Sequence, residues 1–331
     1  MLFFNSMILG TLISISSYSW MSMWMGLEIN LLSIIPLMNS HKNIYPAESA
    51  LKYFLTQALA SMILLFSIIM MMNMNEFIPL KFNIFFIMIM NSSLLTKMGA
   101  APFHFWFPEV MEGLNWMNNL ILLTWQKIAP MILMIMNMKF YSFLIFIIII
   151  SSMIGSIMGL NQLSLRKIMA YSSINHISWM LSSLFNNQSI WFFYFMIYSI
   201  ITINIILIFN QLNSFYLKQF INSMNYNKMI KFFFILNFLS LGGLPPFLGF
   251  FPKWMIINNL ITQKFYFLTL ILIIFTLLTL FFYIRIIFSV LMLNSTETII
   301  FNKKINNFTM MFLNLISISS LLLILILYNL T

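Results

Sequence analysis

Residues 102–108 read PFHFWFP and residues 246–252 read PFLGFFP, two copies of Pro-Phe-x-x-x-Phe-Pro, each inside a long apolar stretch. Proline removes a backbone donor and breaks a helix, and broken backbone is costly wherever water cannot satisfy it. The chain around these motifs leaves little doubt about the solvent. Of its 331 residues 62% are hydrophobic and 7% charged, with a mean hydropathy of +0.98, far from the composition of water-soluble domains. Apolar runs of about 17 residues or more recur from end to end, each long enough to cross a hydrocarbon core at 1.5 Å per residue. A β-barrel would show short alternating segments instead. The fold expected is therefore all-α, a polytopic transmembrane helical bundle.

Run length, punctuation and charge position give about 11 spans, at roughly 3–19, 21–39, 47–72, 82–112, 116–137, 140–160, 165–185, 189–213, 229–261, 265–293 and 308–329. The fourth and the ninth are the two that contain the proline pattern. They stand five helices apart, and an odd spacing sends the second copy into the membrane from the opposite side. Residues 1–137 and 138–293 are then expected to form two inverted five-helix repeats of one membrane domain, with 294–331 supplying an extra helix. MLFFNSMILGTL at the start has no basic region and no small-residue cleavage site, so it reads as a first helix and not as a removed signal.

The net charge of +10 comes from 16 Lys and Arg against six Glu, with no Asp. In a soluble domain such an excess would suggest nucleic acid; here it sits mainly in short loops. Lys42, Arg166, Lys167, Lys218, Lys228, Lys303 and Lys304 follow even-numbered spans, with Lys231 at the margin, whereas Lys81, Lys139 and Lys264 follow odd ones. The positive-inside rule puts the even loops and the N-terminus on the cytosol-like face and the C-terminus opposite. With no Cys, iron–sulfur ligation, disulfides and thiolate zinc sites are excluded for this chain. No G-x-G-x-x-G or Walker pattern marks a nucleotide site.

Ionisable residues inside spans need a reason, since each costs about 2.5–3.5 kcal/mol near a helix centre. Lys127 stands mid-span, roughly 15 Å from either surface and beyond easy snorkelling. Lys97 precedes the first proline pattern and Lys253 follows the second, both near carbonyls that a break would free. Glu28, in an apolar setting, should be neutral or pair with a cation, and an intramembrane Lys is the natural candidate. His104 inside the first pattern and His176 in AYSSINHISWM can relay protons. Each of these has a plainer reading: a Lys bonded to a helix carbonyl, a snorkelling Lys, a His that joins two helices. Tyr171, Ser172 and Ser173 fit a hydrated path or close helix packing. His41 reads as a loop residue, Glu109 and Glu112 as complements to a helix start, and the many Met and Phe as packing.

WMGLEINLLSIIP (24–36), SALKYFLTQALAS (49–61), KMGAAPFHFWFPEVMEGL (97–114), LLTWQKIAP (122–130), GLNQLSLRKIMAYSSINHISWML (159–181) and SLGGLPPFLGFFPKW (240–254) together resemble the chain 2 family of NADH:ubiquinone oxidoreductase (respiratory complex I), in its mitochondrial animal form. The likeness runs from about Trp24 to Arg285. It implies an antiporter-like, non-redox membrane-arm subunit of the translocase in the mitochondrial inner membrane, with NADH, FMN, iron–sulfur clusters and ubiquinone on partner subunits. Partners would be neighbouring antiporter-like chains and membrane lipids, and not nucleic acid. By motif, Glu28 corresponds to the family's carboxylate, Lys97 to its partner on the first broken helix, Lys127 to the central relay lysine and Lys253 to the lysine on the second broken helix. The resemblance places the positive face at the matrix. Two other classes fit the residues: a cation/proton antiporter subunit, which the lack of intramembrane Asp disfavours, and a structural membrane scaffold whose charges fix helix register.

Overall fold

The computed structural model describes residues 1–39, 44–74, 80–138, 141–185, 188–224, 228–292 and Asn314. Among them regular structure is α-helical, apart from an isolated bridge between Ser164 and Tyr216. The expected span at 308–329 lies outside the described residues save Asn314, as do His41, Lys42, Lys139, Lys303 and Lys304. Among the described residues five helices are long and apolar enough to cross a membrane, at Trp20–Met38, Ile44–Asn73, Trp116–Met136, Gln188–Leu212 and Tyr266–Leu291, and four more are shorter but apolar. The protein is an α-helical membrane protein.

The chain divides into two compact units, Met1–Ile150 and Ser151–Thr331. The first contains α1 (Leu2–Ser16), α2 (Trp20–Met38), α3 (Ile44–Met74), α4 (Leu80–Met98), α5 (Trp106–Gly113), α6 (Trp116–Leu123) and α7 (Trp125–Met136), and α8 (Tyr141–Ile157) runs across the boundary. α1 and α2 pack most closely, and the reason is two glycines. A Cβ on Gly10 would stand 2.8 Å from the Asn30 nitrogen, and one on Gly26 would stand 2.6 Å from the Ser14 nitrogen. Small residues let backbones approach where hydrocarbon gives no hydrophobic drive to helix pairing. Side-chain amides then tie helices to one another. Asn118 Nδ2 donates to the Leu37 carbonyl at 3.0 Å, Asn119 Nδ2 to that of Met111 at 3.1 Å, and Asn137 Nδ2 to Asn91 Oδ1 at 2.9 Å.

The second unit holds α9 (Leu165–Ser183), α10 (Gln188–Leu212), α11 (Leu217–Met224), α12 (Lys228–Gly242), α13 (Phe250–Thr262) and α14 (Tyr266–Met292). α9 is rich in Ser, yet every residue except Arg166 and Lys167 is buried. Gly155 of α8 admits it closely, since a Cβ there would lie 2.7 Å from the Asn175 nitrogen. α10 packs against α9, α12 and α13, and α14 against α12 and α13.

Both proline patterns begin between helices and run into the first turn of the next, and both interruptions are built alike. α4 ends in a Schellman turn: Gly99, at φ +75°, donates to the Thr96 carbonyl and Ala100 to that of Leu95, at 3.2 and 3.1 Å. α12 ends in the same way, with Gly243 at φ +78°, Gly243 N to Ser240 O at 3.0 Å and Leu244 N to Leu239 O at 3.3 Å. Three residues past each glycine comes a cis proline, Pro102 or Pro246. The second proline of each pattern, Pro108 or Pro252, is the third residue of the next helix, where its missing N–H costs nothing because first-turn donors have no intrahelical acceptor.

Two elements differ from the sequence expectation. The span at 116–137 is divided, α6 from α7, at Thr124 (φ −112°, ψ −70°). Thr124 Oγ1 donates back to the Leu120 carbonyl at 2.8 Å, a competing bond that bends helices. The connection after 189–213 contains the short helix α11, whose Phe220 and Met224, four residues apart, are both buried.

Gly242 and Gly243 provide a paired test of the second turn. A Cβ at Gly242 meets only ordinary contacts near 3.6 Å, whereas one at Gly243 would sit 2.8 Å from Lys253 Nζ in a left-handed backbone. Gly243→Ala is expected to cost about 1–2 kcal/mol or more and Gly242→Ala no more than about 0.5 kcal/mol, read as a difference in thermal inactivation of the purified assembly.

Candidate functional site

In the first unit the helix break gathers the ionisable groups. α4 delivers Lys97 in its last turn, 7% exposed. Nearby carbonyls freed by the break are taken by side chains: Trp106 Nε1 donates to Thr96 O at 3.0 Å, and Gln57 Nε2 approaches Lys97 O at 3.5 Å. Lys97 borders a cavity of about 10 Å³ together with Asn30, Tyr53, Gln57 and Gln126, room for about one water. Glu28 on α2 lies within coulombic reach of Lys97, but no ion pair of 4.0 Å or less joins them. One Glu28 carboxylate oxygen, Oε1, is buried without a hydrogen-bond partner.

Lys127 is 1% exposed on α7, three residues past the Thr124 bend. Its Nζ stands 5.7 Å from the centroid of the Phe107 ring, within cation–π range. Phe107 is the second residue of α5, so the restart of the first broken helix supplies a face for the central lysine. The neighbouring Gln126 exchanges two hydrogen bonds with Asn30 of α2, at 3.0 and 2.9 Å. His104 lies in the turn itself, buried, with Nδ1 3.3 Å from the Pro102 carbonyl.

In the second unit Lys253, 7% exposed, reaches back from α13 to the end of α12, where Nζ donates to Gly242 O at 2.8 Å and to Leu241 O at 3.4 Å. A lysine bonded to helix carbonyls is thus realised at 253. His176 on α9 is buried, with Nδ1 2.8 Å from the Tyr194 hydroxyl and its ring 5.0 Å from that of Tyr198. Tyr198 in turn hydrogen-bonds Ser173. A second cavity of about 10 Å³ is lined by His176, Tyr194, Tyr198, Ser240 and Leu241, so the imidazole and the end of α12 face one space.

Tyr171, Ser172 and Ser173 are buried, and the two serines donate back along the helix to Met169 O and Ala170 O at 2.8 and 2.7 Å. Glu109 occupies the first turn of α5 and also accepts from Lys52 Nζ at 3.1 Å, while Lys52 meets Glu48 at 3.1 Å. Glu112 is the seventh of eight residues in that helix, so it cannot serve the helix start; carboxylates help only in the first turn. The sequence alone does not single out Gln57, the Asn30–Gln126 pair, Tyr194 or Tyr198. Tyr194 and Tyr198 carried a signal, being four residues apart and so on one face of a helix, but they stand among Phe in WFFYFMIYS.

The described residues thus form apolar helices with two interruptions and a buried lysine beside each. Residues 17–279 match the family described as NADH:quinone oxidoreductase/Mrp antiporter, TM. The chain is 51% identical to NADH-ubiquinone oxidoreductase chain 2 of Anopheles gambiae, over 99% of its own length and 97% of that chain. It belongs to the NADH-ubiquinone oxidoreductase chain 2 family. The same fold occurs in respiratory complex I from Thermus thermophilus, with a TM-score of 0.87 at 22% identity over 96% of this chain and 76% of that one. A chain of the Mrp complex from Dietzia sp. DQ12-45-1b gives 0.78 at 14% identity, over 89% of this chain and 61% of that one.

The Asn30–Gln126 exchange fixes α2 against α7 between Glu28 and Lys127. A double-mutant cycle of Asn30→Ala and Gln126→Ala is expected to give a coupling of about 1 kcal/mol, two hydrogen bonds at roughly 0.6 kcal/mol each in a membrane interior. Denaturation of the assembly in mild detergent measures it.

Proposed function

We propose that this chain is a proton-translocating, non-redox membrane-arm subunit of NADH:ubiquinone oxidoreductase in the mitochondrial inner membrane, moving protons from matrix to intermembrane space. The observation that carries the reading is the burial of Lys97, Lys127 and Lys253 at 7, 1 and 7% exposure, two of them at helix interruptions, in a chain of this family. Intramembrane lysines held there against their insertion cost mark ion pathways. Glu28 and Lys97 form the switch: displacement of one charge changes the proton affinity of the other. Lys127 is the group loaded through that switch, and Lys253 is the exit group. His104 beside the first interruption and His176 with Tyr194 beside the second act as relays, since each imidazole has two nitrogens that exchange protons.

Residues 1–137 and 138–293 act as the inverted halves that frame the path, with the N-terminus in the matrix and the C-terminus in the intermembrane space. The twin glycine–proline interruptions support this division. Energy arrives from quinone reduction in partner subunits, which hold NADH, FMN, iron–sulfur clusters and ubiquinone, through shifts of charge or helix position. The likeness to an Mrp complex favours a second reading, cation/proton exchange, which requires sodium-dependent proton flux without NADH.

Complex assembled with Lys127→Met and reconstituted in vesicles is expected to lose coupled proton translocation by about tenfold, roughly 1.4 kcal/mol at the rate-limiting transfer, while its native-gel mobility is unchanged. Wild-type protons per NADH in that variant would remove Lys127 from the path. If Glu28→Gln and Lys97→Met lower only the amount of complex and leave protons per electron intact, the charges are scaffold.

A further inference from the structure

At one end of the second unit lies a cavity of about 140 Å³ between the α8–α9 connection, α11 and α14. Its walls include Leu217, Ile221 and Phe282, and its polar side chains are Gln162, Arg285 and Ser289. A space near 150 Å³ takes up a six-membered carbon ring, so this one has room for a phosphoglycerol head with the rest of its molecule outside.

Arg285 is the one charge on α14, seven residues before the helix ends, hence about 10 Å from that end at 1.5 Å per residue. Its guanidinium is exposed and makes one long hydrogen bond, Nη1 to the Leu160 carbonyl at 3.4 Å. Five donors in a planar fork are thus largely uncommitted, the geometry suited to a phosphate. Among the described residues of the second unit there is no carboxylate side chain to neutralise them. From Glu112 to Glu297 the sequence has no acidic residue, and Glu297 lies outside the described residues. Lys218 is exposed on α11 beside the cavity-lining Leu217, and α11 is amphipathic, with Phe220 and Met224 turned inward. An anion with an apolar body matches both the charge and the walls.

We propose that this cavity is a specific site for an anionic phospholipid, its phosphate on Arg285 and its glycerol against Leu217, Ile221 and Phe282, with the acyl chains outside. The site is separate from Lys253 and His176 and does not depend on the proton path assigned above.

The test uses the assembled complex in nanodiscs with photoreactive phosphatidylglycerol or photoreactive phosphatidylcholine, followed by peptide mapping. Phosphatidylglycerol is expected to label residues 217–224 and 282–289 about fivefold more than phosphatidylcholine, the preference one basic residue gives for an anionic lipid. Arg285→Gln should abolish the preference and Arg285→Lys should keep part of it. Leu217→Trp, which fills the cavity and leaves Arg285 in place, should reduce labelling by both lipids, and it carries the test if Arg285→Gln does not assemble. Equal labelling by the two lipids in the wild type, or labelling unaffected by both Arg285→Gln and Leu217→Trp, would overturn the proposal. So would loss of labelling on addition of millimolar inorganic phosphate, which would mark a site for the free ion.

Discussion

Helix carbonyls that lose their donors inside a membrane must find others within the protein, because hydrocarbon supplies none. That constraint orders both interruptions. In each, a glycine with positive φ closes the last turn on itself, and side chains then serve carbonyls that remain. At the first, an indole and a carboxamide do so. At the second, the donor is the ammonium of Lys253. Donors are needed where the backbone is broken, so the groups that can carry protons collect at the same places. The cost of the broken helix and the chemistry of the site have one origin.

The surrounding helices are held by devices that suit a solvent without a hydrophobic effect. Glycines at 10, 26 and 155 admit neighbouring backbones, and amides bond across helices at Asn91–Asn137 and Asn30–Gln126. These contacts hold the helices that carry the ionisable groups. Asn30 follows Glu28 by two residues and Gln126 immediately precedes Lys127, so one amide pair links the helix of the carboxylate to the helix of the central lysine. The Thr124 bend lies three residues from that lysine, and a straight helix would carry Lys127 along a different line.

The all-helical class and most of the spans were legible because the apolar runs are long and the charges few, and both proline patterns marked interruptions by their chemistry alone. Lys97, Lys127, Lys253 and Glu28 stood out because an isolated charge in an apolar run is conspicuous. Gln57, Asn30, Gln126 and Tyr194 did not, since a neutral polar residue in a membrane helix signals nothing until its neighbour across the interface is known. Glu112 was misjudged because the start of α5 is set by where the turn ending at Phe105 lets the helix restart, and a sequence does not mark that point. α11 escaped because eight residues give little more than two turns of periodicity, less than a propensity argument can distinguish from a loop.

α9 has a bearing on how the protein is made. It has the length of a spanning helix, yet it is absent from those apolar enough to cross a membrane unaided. A segment with Ser172, Ser173, Asn175, His176, Ser178, Ser182 and Ser183 gains little by entering hydrocarbon alone. All but its first basic residues are covered by protein, so the surface that shelters it must be provided by the helices around it. By itself α9 therefore gains little from entering hydrocarbon, and its place in the membrane rests on the helices that cover it.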